Sequence, residues 1–278
     1  MKLQLLSDLH LEVHPHFSPS PAPDAELLVL AGDIGSYQPG SQLADDDFGL
    51  ARFSPLPQYA GWPTPVVFVP GNHEYDGQDF DAAHLRLRRT CDRLGLIWLE
   101  RESLVLQGVR LVGTTLWSDF DALAAQDAPA QRLKSREKAF RAADFYLRKT
   151  GGTRHGAPFL APQLREQALL CQAWLREALA QPFDGTTVAI THFAPSLRSA
   201  DPRYGLSPGT AGFCNALDDY LPQASLWLHG HLHAPSDYLA SGRHAEGQPW
   251  RCRVVANPLG YARKGEQEAF RPHCVLTV

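Results

Sequence analysis

Short apolar runs that each end in a polar cluster are the feature of this sequence that most restricts its fold. Near-continuous apolar runs such as Glu26–Ala31 and Val66–Val69 are typical of strands buried on both faces of a sheet. Five polar clusters follow such runs in order along the chain: Asp8-Leu9-His10, Gly32-Asp33, Gly71-Asn72-His73-Glu74, Thr191-His192 and Gly230-His231-Leu232-His233. The pattern therefore predicts a sheet in which polar side chains gather at the carboxyl ends of buried strands.

Strand-like and helix-like segments alternate along the rest of the chain. The other predicted strands are Lys2–Leu6, Leu104–Leu106, Val109–Val112, Thr187–Ile190, Leu226–Leu228, Cys252–Ala256 and His273–Val278. The predicted helices are Asp79–Leu94, which Gly95 should end, and Gln163–Ala180. The polar residues 118–162 predict further helices, which we expect to form a flap over the site. The alternation indicates a mixed α/β sandwich, and because no linker interrupts it we expect a single domain over residues 1–278.

Composition and charge exclude several classes of protein. The chain has 44% hydrophobic and 20% charged residues, which is typical of a globular protein and not of a disordered one. Its net charge of −4 excludes an overall basic surface of the kind that binds nucleic acid. Any surface that binds phosphate must therefore be local.

The cysteines and the N-terminus indicate the compartment. The five cysteines form no C-x-x-C spacing, which predicts buried thiols in a reducing environment. The first apolar run meets Asp8 too soon for a signal peptide. No stretch approaches the roughly 20 apolar residues of a membrane span. We therefore predict a cytoplasmic protein with no membrane contact.

The residue types in the five clusters are those that hold two divalent cations. Two such ions, about 3.5–4 Å apart, need an anionic ligand between them, and a carboxylate such as Asp33 can bridge both. Neutral His and Asn side chains then fill the remaining positions without excess negative charge. Each cluster alone is weak evidence for a metal site. Gly-Asp after a strand, for example, is a frequent turn. The prediction of a metal site rests on their joint occurrence.

The ordered set of clusters resembles the calcineurin-like metallophosphoesterase superfamily, in particular its bacterial stand-alone members. The matching motifs extend from Asp8 to His233, and the tail Asn257–Tyr261 is also similar to the closing segment of bacterial members. The resemblance implies two packed mixed β-sheets flanked by helices, a four-layer α/β/β/α sandwich. It also implies a hydrolase of phosphoric esters.

Ligand positions follow from the same resemblance. One cation would be held by Asp8, His10, Asp33 and His233, and the other by Asp33, Asn72, His192 and His231. Mn²⁺ is the first expectation for such a nitrogen and oxygen ligand set, with Fe, Zn or Co as alternatives. A hydroxide between the two ions would attack phosphorus in line.

The resemblance further implies roles around the reacting phosphate. His73 would lie near the leaving group, as a general acid or as a cation that stabilises the phosphoryl oxygens, and Asp33 would act as the bridge. Glu74 is expected to support the loop. The candidate substrate contacts are Asn72, His73, Arg198, Arg203 and Tyr204, with Arg154 in the flap as a further one.

Differences from the motifs of two branches of the superfamily narrow the range of expected substrates. Protein serine/threonine phosphatases carry Asp-Arg-Gly shortly after their Gly-Asp motif, where this chain has Ile34-Gly35-Ser36-Tyr37. The lipid A enzyme of this superfamily carries Arg where His73 stands. We therefore expect a small phosphate ester, either a phosphodiester or a phosphomonoester. A His at position 73 suits diesters with poor leaving groups.

Two alternatives stay open. One is a nuclease or nucleotide-processing phosphodiesterase, for which a local positive groove would have to offset the unfavourable net charge. The other is a scaffold of the same fold that has become an interaction module. Intact ligand positions distinguish an enzyme from such a scaffold, and every expected position here carries a competent side chain. The sequence leaves the oligomeric state open.

Overall fold

Two mixed β-sheets pack face to face at the centre of the fold in the computed structural model, which describes residues 1–278. The strands, numbered in chain order, are β1 Lys2–Leu6, β2 Leu27–Ala31, β3 Val66–Val69, β4 Ile97–Trp98, β5 Glu102–Leu106, β6 Val109–Thr114, β7 Thr153–Arg154, β8 Ala157–Pro158, β9 Thr186–Thr191, β10 Leu226–His229, β11 Ser236–Arg243, β12 Pro249–Ala256 and β13 Val275–Thr277. The helices are α1 Phe80–Leu94, α2 Pro129–Thr150 and α3 Ala161–Ala180.

Each sheet has a parallel centre, and the first has one antiparallel edge while the second has two. The first sheet has the order β13-β1-β2-β3-β4, in which only β13 runs antiparallel to its neighbour. The second has the order β11-β12-β10-β9-β6-β5, in which the two outermost strands run antiparallel to theirs. A separate hairpin joins β7 to β8. The parallel centres place the carboxyl ends of β1, β2 and β3 together, and likewise those of β9 and β10.

The strands alternate between two hydrophobic cores because successive side chains point to opposite faces of a sheet. In β2, Leu27 and Val29 pack in the core between the sheets, which also contains Ile190 of β9. Leu28 and Leu30 pack in the larger core beneath the helices. This double burial explains the unbroken apolar runs in the sequence. The predicted α/β fold of two packed mixed sheets flanked by helices is confirmed.

Helix α1 begins one residue after its predicted start and ends at the predicted residue, Leu94. The Asp79 side chain accepts a hydrogen bond from the Ala82 backbone N–H at 3.2 Å, which caps the first turn. Gly95 ends the helix in the left-handed conformation at φ 69°, where a residue with a side chain is strained. The buried face includes Leu87 and Leu94, as the apolar spacing predicts.

The region 118–162 contains one long helix, α2, and the β7–β8 hairpin. Only Ala139 of α2 is buried, whereas Phe145 and Tyr146 are exposed. The helix is attached to the body by Asp121, whose two carboxylate oxygens accept bonds from Arg136 at 2.8 and 2.6 Å. Arg165 of α3 donates to the same carboxylate at 2.9 Å.

The edge strand β11 is the longest element that the sequence analysis did not predict. Most of its residues are exposed or half-buried, so it lacks the apolar run that marks the central strands. Its pairing with β12 along the full length of both strands fixes its conformation instead. None of the helices is both long enough and apolar enough to cross a membrane.

Candidate metal centre

Seven polar side chains from the ends of five strands meet at one edge of the two sheets. Asp8, Asp33 and Asn72 follow β1, β2 and β3 of the first sheet, while His192 and His231 follow β9 and β10 of the second. His10 and His233 complete the set, each two residues beyond a strand-end ligand. The structure therefore brings together all seven residues that the resemblance proposed as metal ligands.

Five of these seven residues have a left-handed backbone. Their φ angles are 52° for Asp8, 47° for His10, 54° for Asp33, 71° for His231 and 51° for His233. This conformation costs a residue with a side chain roughly 1–2 kcal/mol. Such strain persists only where the surroundings impose it, and it concentrates at functional sites. The orientation of these side chains toward one point therefore comes at a cost in folding stability.

Glycines next to the ligands leave room that no other residue would leave. A Cβ atom at Gly71 would overlap the Asp33 carboxylate, and one at Gly230 would overlap the carboxylate of Asp8. The glycines of the sequence motifs are thus explained by close approach of the backbone to a ligand side chain.

The ligands form two groups that share Asp33. We call Asp8, His10 and His233 the Asp8 half, and Asn72, His192 and His231 the His192 half. Within each half, the ligand atoms of the Asp and His side chains, together with that of Asp33, lie within 4.8 Å of one another. Each of the two groups could hold a metal ion.

Hydrogen bonds fix the tautomers in the Asp8 half. Nδ1 of His10 lies 3.0 Å from Glu12 Oε1, and Nδ1 of His233 lies 2.7 Å from Glu266 Oε2. When each neutral ring donates a hydrogen bond from Nδ1–H to its carboxylate, its Nε2 carries a lone pair. These two Nε2 atoms face each other at 2.9 Å. Facing lone pairs repel unless a cation accepts both, so the pair of histidines fits a metal ion.

In the His192 half, a backbone carbonyl oxygen fixes which ring nitrogen of His192 donates. Nδ1 of His192 lies 2.8 Å from the Ala31 carbonyl oxygen, which only accepts, so Nδ1 must donate. In the neutral ring that would bind a cation, Nε2 carries the lone pair, and it lies 3.2 Å from Asn72 Oδ1 and 3.1 Å from Asp33 Oδ2. Three electron-rich atoms therefore converge on one point.

Unpaired polar atoms supply a further test of whether these residues fit metal ions. Asp8 Oδ2 and His231 Nε2 are buried and have no hydrogen-bond partner. Buried polar atoms almost always find a partner, so each such atom needs an explanation. Coordination of divalent cations would satisfy both atoms, and the donor set of nitrogen and oxygen suits Mn, Fe, Zn or Co.

Asp33 and His192 stabilise one another's charged form. Burial acts to lower the pKa of His192, but the Asp33 carboxylate outweighs it and raises the pKa to about 9. Burial acts to raise the pKa of Asp33, but His192 and His73 hold it well below its ordinary value of 3.8. Asp33 is therefore an anion at neutral pH, as a bridging ligand must be.

Glu74 fastens the loops that carry Asp33 and Asn72. Its carboxylate accepts backbone N–H groups from Gly71 at 2.7 Å, Asp33 at 3.1 Å and Ile34 at 2.6 Å. Burial raises the pKa of Glu74 to about 8, with a further contribution from the nearby Asp33 charge. This placement is consistent with the supporting role that we predicted for Glu74.

His73 lies beside the two groups and is partly open to solvent. Its side chain is 20% exposed, and its Nε2 is 4.0 Å from Asp33 Oδ2. Nδ1 contacts Asp76 Oδ2 at 2.5 Å. Burial acts to lower the pKa of His73, but Asp76 and Asp33 together raise it well above 6.5. His73 is thus a cation at the mouth of the site, fixed by a carboxylate on its far side.

The predicted arginine and tyrosine contacts point elsewhere. Arg198 donates to the Leu239 carbonyl at 3.1 Å and lies over the ring of Tyr238. Arg203 is paired with Asp201, 2.7 Å away, and Tyr204 is 72% exposed. Their role as substrate contacts stays a prediction.

Arg154, the predicted contact in the flap, pairs with Asp81 at 3.1 Å. Several other histidines also lie outside both groups. His229 is buried against Ser199, His84 bonds to the hydroxyl of Tyr75, and His14 lies 3.0 Å from the carbonyl oxygen of Gly260. The ring of His155 is 79% exposed.

Sequence reasoning missed the side chains that support the ligands. Glu12 stands two residues from His10 and could have been found from the motif itself. Glu266 is far along the chain from every ligand motif, and no local signal marks it. Tyr261 stacks on the His10 ring with centroids 4.3 Å apart. Phe213, 5.1 Å from the His231 ring, was also missed, because only the folded loop brings it there.

Comparisons with known proteins identify a family and a shared fold. The model of the calcineurin-like phosphoesterase family matches residues 1–235, which includes all seven proposed ligands. No curated protein matches the chain. Among solved structures, the crystal structure of a phosphopantetheinyl hydrolase from Mycobacterium tuberculosis is similar, with a TM-score of 0.65 and 21% identity. The match covers 100% of this chain and 95% of that one, and it shows that the two share a fold.

Proposed function

The chain belongs to the calcineurin-like phosphoesterase family, a family of phosphoester hydrolases, and from this premise we propose that it hydrolyses phosphodiesters or small phosphomonoesters with two bound divalent cations. The family match covers the proposed ligands in both halves of the site. We also keep as proposals that residues 1–278 form a single domain and that residues 118–162 form a flap.

One observation carries the proposal that metal ions are held here. Histidine nitrogens and carboxylate oxygens converge in both halves, and two of these buried atoms, Asp8 Oδ2 and His231 Nε2, have no hydrogen-bond partner. Asp8, His10, Asp33 and His233 would hold one cation, while Asp33, Asn72, His192 and His231 would hold the other. When bound, the two cations supply an activated water and neutralise charge on the phosphoryl oxygens. Mn²⁺ is the first candidate for both positions.

His73 gives the chain its own acid–base group. The Asp76 carboxylate fixes the ring through Nδ1, so that Nε2 faces the site near Asp33. In its cationic form His73 donates a proton from Nε2 to the oxygen of the departing group, or it stabilises the phosphoryl oxygens by charge. A substrate with an alkoxide leaving group needs such a proton more than a monoester with a good leaving group does. His73 therefore favours a diester substrate within the proposed class.

The test is hydrolysis of two chromogenic esters by protein supplied with Mn²⁺. Bis-p-nitrophenyl phosphate represents diesters and p-nitrophenyl phosphate represents monoesters. A phosphopantetheinyl ester is added as a third substrate, because a hydrolase of similar fold carries that name. Faster turnover of the diester supports a phosphodiesterase, and single-stranded and double-stranded oligonucleotides then test the nuclease alternative.

Matched controls separate this chemistry from contamination. The Asp33→Asn variant should be inactive, while Asp184→Asn, an exposed residue away from the site, should keep wild-type activity. Full activity in the demonstrably metal-free protein would contradict the proposal. Tight binding of two Mn²⁺ ions without hydrolysis of any of these esters would favour the scaffold alternative instead.

A further inference from the structure

A segment near the C-terminus, residues 257–271, crosses the Asp8 half of the metal centre. It lies beyond the residues that match the family model. Backbone N–H groups of Leu259 and Gly260 donate to the carbonyls of Ser7 and Asp8 at 3.1 and 3.0 Å. The Asn257 side chain donates to the Leu5 carbonyl at 2.8 Å. This segment, which we call the C-terminal segment, is thus joined to the end of β1 where Asp8 lies.

Glu266 is the residue of the C-terminal segment that reaches a proposed ligand. Its Oε2 atom lies 2.7 Å from Nδ1 of His233 and accepts the backbone N–H of Tyr261 at 2.9 Å. Lys264 Nζ lies 3.9 Å from its other oxygen. Its side chain is only 6% exposed. These contacts hold the carboxylate in one orientation and direct it at His233.

A carboxylate in this position decides what His233 can do. It accepts a hydrogen bond from Nδ1–H of the neutral ring, which leaves Nε2 free to bind a cation and fixes the plane of the ring. Carboxylates that support metal-binding histidines in this way typically change metal affinity by about 10–100-fold. We propose that Glu266 is a positioning residue of the metal centre, supplied by the C-terminal segment to orient His233 and strengthen cation binding in the Asp8 half. This inference rests on the proposed function, because it requires that the centre binds metal.

The His192 half offers no comparable carboxylate, which makes the effect specific. His192 is held by the Ala31 carbonyl, and His231 lies against the Phe193 ring with centroids 3.9 Å apart. In the Asp8 half, by contrast, both histidines contact a carboxylate: His10 through Glu12 and His233 through Glu266. Loss of the Glu266 carboxylate should therefore weaken one cation position and spare the other.

The experiment is a calorimetric titration of Mn²⁺ into the full-length protein after removal of metal by a chelator. Glu266→Gln keeps an oxygen that can accept from His233 but loses the charge, whereas Glu266→Ala loses both. Glu268→Gln is the matched control, since Glu268 is exposed on the same 3₁₀ helix, Glu266–Ala269. We expect one of two Mn²⁺ sites to weaken by about 10-fold in Glu266→Gln and by up to about 100-fold in Glu266→Ala. The control should match the wild type.

A second readout does not depend on metal. In the ¹⁵N spectrum of histidine-labelled protein, the Nδ1–H signal of His233 should change in Glu266→Gln and stay unchanged in Glu268→Gln. A merely structural role, such as closing the chain end, would lower the melting temperature without moving this signal. If Glu266→Ala does not fold, the Gln variant and this spectrum decide the question.

The outcomes separate the two proposals. A wild-type protein that binds no Mn²⁺ would overturn the proposed function and this inference together. A wild-type protein that binds two Mn²⁺ ions, with Glu266→Gln binding both equally well, would overturn this inference and leave the proposed function intact. Equal weakening of both sites would also overturn it, because the effect would then not be specific to the Asp8 half.

Discussion

The two halves of the metal centre offer similar ligand atoms but support them by different means. In the Asp8 half, buried carboxylates contact the rear nitrogens of both histidines, through Glu12 and Glu266. In the His192 half, a backbone carbonyl holds one histidine, and the rings of Phe193 and Phe213 pack against the other, His231. The first half therefore carries more negative charge close to its ligands, and the second is more apolar.

This difference teaches how a fold can orient a histidine. A backbone carbonyl at a strand end comes with the sheet itself, so His192 needs no additional residue. A carboxylate must be supplied separately, and here one comes from the ligand motif and the other from a segment far along the chain. Loss of tertiary structure near the C-terminus should therefore harm the Asp8 half more than the His192 half.

Substitution of the shared ligand Asp33 should affect both halves equally and so abolish the difference between them. Asp33→Asn removes the only carboxylate common to both halves, so both cation positions should fail together. We expect a loss of about 5 kcal/mol or more of transition-state stabilisation, which corresponds to roughly 10⁴-fold in kcat/KM. The measurement is bis-p-nitrophenyl phosphate hydrolysis together with metal content per chain. Retention of two tightly bound ions by this variant would argue against the bridge.

Substitution of His73 should lower activity without loss of metal, because His73 belongs to neither half. His73→Ala should keep the metal content and lower kcat by about 10²–10⁴-fold, which is the usual contribution of a general acid. His155→Ala is the control, since the His155 ring is 79% exposed and lies outside the centre. Loss of metal from His73→Ala would show that His73 is a ligand and that our assignment is wrong.

Phe213 tests the apolar support of the His192 half. Phe213→Ala removes a ring that contacts His231, and aromatic contacts of this kind are worth about 0.5–1.5 kcal/mol. We expect one Mn²⁺ site to weaken by roughly 2–12-fold, and it should be the site that Glu266→Gln leaves unchanged. Titration of the double variant checks this point. Phe145→Ala, an exposed ring on α2, is the control. Weakening of a single common site by both variants would contradict the division into halves.

Asp121 should leave both halves untouched and affect only stability. Asp121→Asn weakens the attachment of α2, and we expect a loss of about 1–2 kcal/mol in the free energy of unfolding, because the three partners are partly exposed. Denaturant unfolding measures this loss, and Mn²⁺ binding should match the wild type.

The loss of unfolding free energy in Asp121→Asn should depend on pH with a definite sign. Burial acts to raise the pKa of Asp121, but Arg136 and Arg165 outweigh it and lower the pKa below its ordinary 3.8. The stabilisation is therefore fully present above the pKa of the unfolded chain, about 3.9, and is lost as the pH falls through the lower folded value. The difference between wild type and Asp121→Asn should be constant from pH 7 down to about pH 5 and shrink in stronger acid. A constant difference throughout would mean that charge is not its cause.

Most of the sheet could be predicted from the sequence, because strands buried on both faces leave unbroken apolar runs. Strand β1 was predicted with its observed ends, and β2 within one residue. The edge strand β11 could not be, since its exposed residues carry no apolar pattern and its partner β12 fixes its conformation.

The same contrast holds for the site. Motif residues such as Asp33 and His192 could be proposed because each directly follows a strand and carries a metal-binding group. Glu266 and Phe213 could not, because a carboxylate in a C-terminal turn and a ring in a loop have no local signature of function. Their roles depend on chain segments that meet only after folding.

The sequence by itself determined the order of the strands' polar ends, the family and the identity of the proposed ligands. These are local properties, in which burial dictates the apolar runs and the ligand chemistry dictates the residues that follow. Only the tertiary structure decided which rings and carboxylates support each half and where the predicted arginines point. Long-range packing sets those features, because a hydrogen bond such as that between His233 and Glu266 exists only once the C-terminal segment has folded back across β1.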